Sequence, residues 1–358
     1  MKKKYSCFFT LCLAGLMILP VGIVNAGNKD RSGQAGASEL LINPWAQSSS
    51  WGSVNTANAM GLEAMFANIA GIAHTRGTEL IFAYTNWLSG SGVNVMAFGV
   101  SQRLGKNSGV LAFNIMNMSF GEIDITTTNS PEGGNGIFKP NYLNINLAYA
   151  KAFSNSIYGG LNIKIISESI SNASATGIAL DAGIQYITGE KKQIKFGVAL
   201  KNVGPPMKFS GDGLSFRGII KTHGNDNDQF TVSQRSEKYE MPATLRIGAS
   251  YDFLIGDLHR ITLAGNFTSN SFTKDQITLG LEYALKYYFS LRAGYTYQDG
   301  IFSSSLPERG TVFTGFSGGF SVSVPFNKEK ESGIGIDYTY RSTNPYSGTH
   351  TIGLKLNF

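Results

Sequence analysis

The closing segment of the chain alternates without a break between apolar and polar or small residues. Ile352, Leu354, Leu356 and Phe358 take one face, and Thr351, Gly353, Lys355 and Asn357 take the other. A period of two, apolar on one side only, indicates a β-strand that lies between two different environments. The last strand of a soluble sandwich would share this pattern, so the rest of the chain must decide between the two.

Alternating segments of about ten residues, the length with which a tilted strand crosses a bilayer, recur along the chain. We count fourteen of them, at residues 78–87, 93–104, 108–119, 142–153, 156–169, 175–188, 193–203, 243–253, 258–267, 275–284, 287–297, 311–324, 331–341 and 347–358. After residue 26 no apolar run reaches the roughly eighteen residues of a membrane helix. The pattern predicts an all-β fold, a 14-stranded antiparallel transmembrane β-barrel over residues 78–358.

The connections between these segments fall into two classes. Every second connection is short: 105–107, 154–155, 189–192, 254–257, 285–286 and 325–330. The three longest, 120–141, 204–242 and 298–310, all belong to the other set. Outer-membrane barrels have short periplasmic turns and longer surface loops, so the short set is predicted to face the periplasm.

The first 26 residues have the pattern of a signal peptide. Three lysines at positions 2–4 precede an apolar stretch over residues 7–24, and Val24-Asn25-Ala26 supplies a cleavage site. A retained helix is disfavoured by the polar residues that follow, and Cys12 follows a leucine, unlike a lipidated cysteine. Cleavage would remove both cysteines and lower the formal charge from +6 to +3. So small an excess gives no reason to expect a nucleic-acid partner.

Residues 27–77 differ from the barrel segments and are too few to build a core of their own. Because a fourteen-stranded barrel has room inside, we interpret them as a hatch in the lumen. Its predicted anchors are Asn43, Pro44, Trp45 and Trp51. A disordered periplasmic tail is the alternative, although the two tryptophans favour burial.

Strand parity predicts which charged residues face the lumen. They are Lys164, Lys195, Lys201, Arg246, Arg292, Arg341 and Lys355, with Glu168, Asp252, Glu282 and Asp337. The mixture of signs favours a network of salt bridges that stabilises the wall and holds the hatch, with Lys164, Arg246, Asp252, Glu282, Arg292, Asp337 and Lys355 as its members. Selective uptake of an anionic amphiphile is the alternative use of such a lumen.

Catalytic and metal-binding motifs have little support. The four histidines, His74, His223, His259 and His350, show no metal-ligand spacing, and no nucleophile elbow or phosphate loop occurs. Asp226-Asn227-Asp228 lacks the spacing of a calcium loop and is interpreted as a polar turn. We therefore expect no enzyme, no cofactor and no metal.

Thr351-x-Gly353-x-x-Leu356-x-Phe358 resembles the C-terminal assembly signal of bacterial outer-membrane barrels, with Gly353, Leu356 and Phe358 as its signal residues. That resemblance implies recognition by the barrel assembly machinery.

Fourteen strands behind an N-terminal hatch resemble the FadL-like outer-membrane barrels. The runs 35–46 (AGASELLINPWA), 68–71 (NIAG) and 201–204 (KNVG) are similar to its PorV/PorQ branch, found in Bacteroidetes-type bacteria. The branch serves type IX protein secretion, where its members bind the C-terminal signal domains of cargo or sit beside the translocon. An acidic-Ser-Arg element of that branch is replaced here by residues 43–48, which favours a paralogue with a different partner.

Two functions remain open at this point. The first is a docking protein of a secretion or outer-membrane assembly machine, in the outer-membrane bilayer, whose surface loop 204–242 binds protein partners. Its predicted contact residues are Lys208, Arg217, Lys221, Asp226, Asp228 and Arg235. The second is a FadL-like transporter of hydrophobic small molecules. The polar loop favours docking, because capture of a fatty acid requires an apolar groove.

Overall fold

The computed structural model describes residues 31–105, 108–219, 229–327 and 332–358. The predicted signal peptide lies outside these residues, as do Lys221, Asp226 and Asp228 of the predicted contact surface.

Fourteen antiparallel strands form one closed barrel in chain order, which confirms the predicted fold class. They are β1 Thr78–Trp87, β2 Val93–Arg103, β3 Val110–Ser119, β4 Asn141–Ala152, β5 Ile157–Ile170, β6 Ala173–Thr188, β7 Ile194–Val203, β8 Thr244–Ile255, β9 His259–Asn270, β10 Gln276–Leu285, β11 Phe289–Gln298, β12 Phe313–Asn327, β13 Ser332–Thr343 and β14 Thr349–Asn357. The first and last strands pair from Glu79 with Asn357 to Asn86 with His350. The ring has no free edge.

The alternation of each strand separates an apolar exterior from a packed interior. On β10, Leu279 and Leu281 are 60% and 49% exposed. The flanking residues Thr278 and Glu282, on the opposite face, are only 3% and 4% exposed. Exposed leucine, isoleucine and phenylalanine side chains continue around the barrel wall. Such a belt belongs in hydrocarbon rather than in water.

The two ends of the barrel differ as the sequence predicts. One end, the short-turn end, carries residues 153–156, 189–193, 256–258 and 286–288 as connections. The other end, the long-loop end, carries 120–140, 204–243 and 299–312. The connection 204–243, hereafter the long loop, contains β-structure that the sequence did not predict. Two antiparallel ribbons form in it, Met207–Lys208 with Lys238–Tyr239 and Ser215–Ile219 with Gln229–Ser233; a smaller one, Ile123–Asp124 with Ile137–Phe138, lies in 120–140.

The described residues also form short helices: Ser38–Leu41, Ala46–Ser49, Gly61–Met65, Ile69–His74, Asp212–Leu214 and Leu306–Arg309. In the described part of the chain, none of the helices has the length and hydropathy needed to cross a membrane.

Most of the buried apolar residues belong to residues 31–77, hereafter the N-terminal segment, and to the inward positions of the strands. The largest cluster joins Trp45, Leu62, Phe66 and Ile72 of the segment to small wall residues such as Ala97. The core of the molecule is therefore the contact between this segment and the inner wall.

Candidate functional site

The N-terminal segment runs through the barrel from the long-loop end to the short-turn end. Near its start, Ala35 bridges to Glu240 at the foot of the long loop. It ends beside β2, where Arg103 donates from Nε and Nη2 to the carbonyl oxygens of Thr75 (2.7 Å) and Ala73 (2.8 Å). Between these points it contacts strands on opposite sides of the wall. The segment therefore occupies the lumen along its whole length.

Inward glycines let the backbone of the segment lie directly against the wall. A Cβ atom at Gly197 of β7 would overlap the carbonyl oxygen of Thr56, and one at Gly294 of β11 would overlap the carbonyl of Trp51. Since both obstacles are backbone atoms, no side-chain rotation could relieve the overlap. The wall is shaped to the path of the segment.

The predicted anchors are all buried in the lumen. Trp45 is 0% exposed and packs edge-on against Phe66, with ring centroids 5.5 Å apart. Asn43 accepts from the Trp45 backbone N–H through Oδ1 (3.1 Å), which orients the turn that contains the buried Pro44. Trp51 is 3% exposed, and these four residues remain predicted anchors whose energetic role is a proposal.

Most of the inward charges have a partner of opposite charge. Across β10 and β11, Arg292 Nε lies 2.5 Å from Glu282 Oε2. Three more ion pairs lie in the lumen: Lys164–Asp181 at 2.8 Å, Lys195–Asp252 at 2.5 Å and Lys355–Glu79 at 3.7 Å. Two further charges bond to neutral groups instead: Asp337 accepts from the Ser321 hydroxyl, and Lys201 donates to the Phe66 carbonyl oxygen at 2.5 Å. These contacts link neighbouring strands, and Lys201 links the wall to the segment; that they stabilise the wall and hold the segment remains a prediction.

Two residues depart from the predicted network. Arg246 faces inward as parity predicts, but within the described residues its Nε and Nη1 atoms have no hydrogen-bond partner. It forms no ion pair among the described residues, because Ala199 of β7 and Thr268 of β9 lie opposite it, and its place in the charge network stays a prediction. Asp181, conversely, was not among the predicted residues, although the parity of β6 places it inward.

A bulge in β7 connects the wall, the segment and the long loop. Asn202 has a left-handed backbone (φ 62°) where the pairing of β6 with β7 shifts register. Its backbone N–H donates to Asp181 Oδ1 (2.8 Å), its Nδ2 donates to the Pro242 carbonyl (3.1 Å), and its Oδ1 accepts from Lys164 (2.5 Å). The run 201–204, which carried part of the family resemblance, thus fixes the place where the long loop leaves and rejoins the barrel.

The foot of the long loop is packed onto the start of the N-terminal segment. The Tyr239 ring covers Gly36, where a Cβ atom would overlap it, and its hydroxyl donates to Glu168 Oε2 at 2.6 Å. Glu39 is 2% exposed, and its oxygens have no hydrogen-bond partner among the described residues. Burial, and then the neighbouring Glu168 carboxylate, raise the pKa of Glu39 to about 8. Glu39 is therefore neutral at neutral pH.

Two further titratable groups of the segment are shifted by burial. Glu63, whose Oε2 accepts from the Ser48 hydroxyl at 2.7 Å, has its pKa raised to about 7 by burial and then by Asp337. Burial, and then the charge of Lys195, lower the pKa of His74 to about 4. Each shift favours the neutral form, as expected for groups held in a filled lumen.

Beyond its foot, the long loop projects an exposed ribbon. The described members of the predicted contact surface, Lys208, Arg217 and Arg235, are all exposed. The same ribbon exposes Phe216 (53%) and Phe230 (43%), which the sequence reading of a polar loop missed. The alternation of residues 215–219 and 229–233 was a signal that could have identified them.

The residues of the predicted assembly signal lie at the seam. Phe358, 61% exposed, exchanges backbone hydrogen bonds with Thr78: its N–H donates at 2.9 Å and its carbonyl oxygen accepts at 3.2 Å. Leu356 faces outward opposite Leu80, and Gly353 faces inward. The position fits the expectation, and recognition by the assembly machinery remains a prediction.

Within the described ranges, no group of three or more His, Cys, Asp or Glu residues could hold a metal ion.

Comparison with known protein families shows to which family the chain belongs. A family model described as type IX secretion system membrane protein PorP/SprF matches residues 128–356, more than half of the chain. The chain belongs to the PorP/SprF family. No curated protein matches it.

Solved structures agree with the fold. The Pseudomonas putida toluene transporter TodX matches with a TM-score of 0.56 at 12% identity, covering 88% of this chain and 99% of that one. The Ralstonia pickettii toluene transporter TbuX matches with a TM-score of 0.51 at 14% identity, covering 88% and 98%. A Pseudomonas aeruginosa FadL homologue matches with a TM-score of 0.51 at 12% identity, covering 87% and 97%. At these identities the likeness concerns the FadL-like fold alone.

Membership of the PorP/SprF family confirms the expected link to type IX secretion and to a membrane component of that system. The narrower resemblance to the PorV/PorQ branch remains a prediction.

Proposed function

We propose that this PorP/SprF protein is a non-enzymatic outer-membrane component of the type IX secretion system that binds protein partners at its long-loop end. In this proposal the barrel is a rigid support, the N-terminal segment closes the lumen, and the long loop supplies the contact surface. The partners would be other secretion-system proteins or the C-terminal domains of secreted cargo.

The observation that carries the proposal is the fixed attachment of the long loop. Asn202 bonds to its return at Pro242, Tyr239 bonds to Glu168, and Met207 and Met241 are 1% and 4% exposed. A loop held at its foot presents its outer ribbon with little loss of entropy on binding. Exposed aromatic residues beside arginine are the residue types that contribute most to protein interfaces.

A direct test replaces residues 211–235 by a short Gly/Ser turn. The Ser236 hydroxyl donates to the Phe209 carbonyl oxygen at 2.5 Å, so the cut leaves the paired foot of the loop in place. We expect a normal barrel, judged by heat-modifiable migration on gels, together with loss of co-purifying secretion proteins and reduced secretion of cargo. Shortening residues 121–139 at the same end is the matched control. It should leave both the co-purification of secretion proteins and the secretion of cargo unchanged.

The same variants distinguish the FadL-like transporter alternative. If complexes and secretion survive the loss of residues 211–235, the docking proposal is wrong. If uptake of a hydrophobic solute in addition depends on residues of the lumen, the transporter function is supported instead.

A further inference from the structure

Two arginines of the inner wall form no ion pair in the part of the chain that the structure describes. Arg246 leaves Nε and Nη1 without a hydrogen-bond partner among the described residues. The Arg341 guanidinium lies 3.9 Å above the Phe313 ring, and it forms no ion pair with any carboxylate in residues 31–105, 108–219, 229–327 or 332–358. By contrast, Lys164 and Arg292, which also face the lumen, have close carboxylates.

Both arginines line one cavity at the long-loop end of the lumen. Leu41, Asn43 and Ser53 of the N-terminal segment form its inner side, and none of the residues that line it is acidic. Ser53 Oγ already accepts from Asn43 Nδ2 at 3.2 Å, so its hydroxyl hydrogen is free to donate into the cavity. The lining therefore combines two positive charges with hydrogen-bond donors.

An uncompensated charge inside a protein is costly, and a bound ion of opposite charge removes most of that cost. Arginine also presents its N–H groups in a fork that matches the oxygens of a carboxylate or phosphate. Two arginines that line one cavity are an arrangement with which proteins bind oxyanions.

The size of the cavity limits the ligand. Its volume is about 90 Å³, whereas pockets for organic ligands span roughly 300–1,000 Å³. One phosphate or carboxylate group fits, but an acyl chain or an aromatic solute does not. We propose that Arg246 and Arg341 form a binding site for a single oxyanion group, phosphate or carboxylate, at the long-loop end of the lumen.

This site is independent of partner docking, and its test uses the purified full-length protein in detergent. Sodium phosphate and sodium acetate are each titrated against sodium chloride at equal ionic strength, and the midpoint of thermal unfolding is followed by heat-modifiable migration. We expect a saturable rise of a few degrees with an oxyanion and none with chloride, because a ligand that binds only the folded state stabilises it. The stronger of the two anions identifies the group.

The variant Arg246→Gln/Arg341→Gln should lose the saturable response while gaining stability in chloride, since two partly buried charges that form no ion pair among the described residues are removed. Arg217→Gln, on the exposed ribbon, is the matched control and should respond as the wild type does. The inference is overturned if chloride and both oxyanions act alike on the wild type, or if the double variant keeps the response. Should the double variant not fold, the wild-type comparison and Arg341→Lys still decide, because a lysine keeps the charge but lacks the fork and should bind more weakly.

Discussion

The contact between the N-terminal segment and glycine positions of the wall gives a quantitative prediction. In Gly294→Ala the new methyl group overlaps the Trp51 carbonyl, and in Gly197→Ala it overlaps the carbonyl of Thr56. Overpacking of this kind costs about 1–3 kcal/mol. Because the strands can keep their own pairing, the cost falls on the docking of the segment. Displacement of the segment should become about 5- to 150-fold more frequent.

A cysteine at Ala70, which is 0% exposed, reports this displacement. Both natural cysteines lie at positions 7 and 12, so a chain refolded without residues 1–26 carries the reporter as its one thiol. Maleimide should label it faster in the alanine variants by the factor given above, with heat-modifiable migration retained. The control is Gly265→Ala, where the nearest atom to the new Cβ is 3.5 Å away. Equal labelling rates in all variants, or an equal increase in the control, would refute the account of the packed segment.

Three further outcomes follow from the same contacts. Glu282→Gln leaves Arg292 buried without its carboxylate partner, so unfolding should become easier by about 3–5 kcal/mol. Lys139→Gln, which breaks the exposed pair of Lys139 with Glu122, should cost about 0–1 kcal/mol; both are measured by denaturant titration in detergent. Glu39 has a pKa of about 8 when packed and an ordinary value of 4.5 when displaced, so the docked segment binds more protons and loses stability as pH rises through that window. The labelling rate of the cysteine at position 70, divided by its rate in the denatured protein at the same pH so that the ionisation of the thiol itself cancels, should rise from pH 5 to 9, and Glu39→Gln should flatten this ratio. Phe358→Ala should lower the amount of assembled barrel in cells, detected by gel migration and periplasmic degradation products, and unchanged levels would contradict an assembly role.

The strands could be predicted from the sequence because their signal is local. An alternation of period two predicts which residues share a face of the sheet. Where a short turn joins two strands, its length also predicts which residues pair across them. Residues 286–288 join β10 to β11, so the direct pairing of Glu282 with Arg292 follows from the turn alone. Lys195 and Asp252 lie on β7 and β8, which the long loop separates in the sequence. The register between these two strands cannot be predicted from a local sequence pattern.

The same limit explains what the sequence did not reveal about the site. Whether an inward charge is paired depends on the neighbouring strand, so parity alone could not distinguish Arg246, which is unpaired, from Arg292. The path of the N-terminal segment depends on contacts with many strands, and its helices have too little periodicity to predict it. The ribbon that exposes Phe216 and Phe230 is short enough to be taken for a polar loop.

The route of the segment through the lumen has a consequence for how the barrel is made. The segment is continuous with β1, and β1 completes the ring with β14, where Glu79 accepts from the Leu62 backbone N–H at 2.8 Å and lies 3.7 Å from Lys355. A chain that fills the interior cannot easily enter a ring already sealed at both rims. We therefore expect the segment to be in place when the first and last strands join, since in the finished barrel Glu79 contacts both the segment and Lys355 of β14. Chaperones or assembly factors that hold the nascent protein would have to keep its first and last strands apart until the interior is occupied.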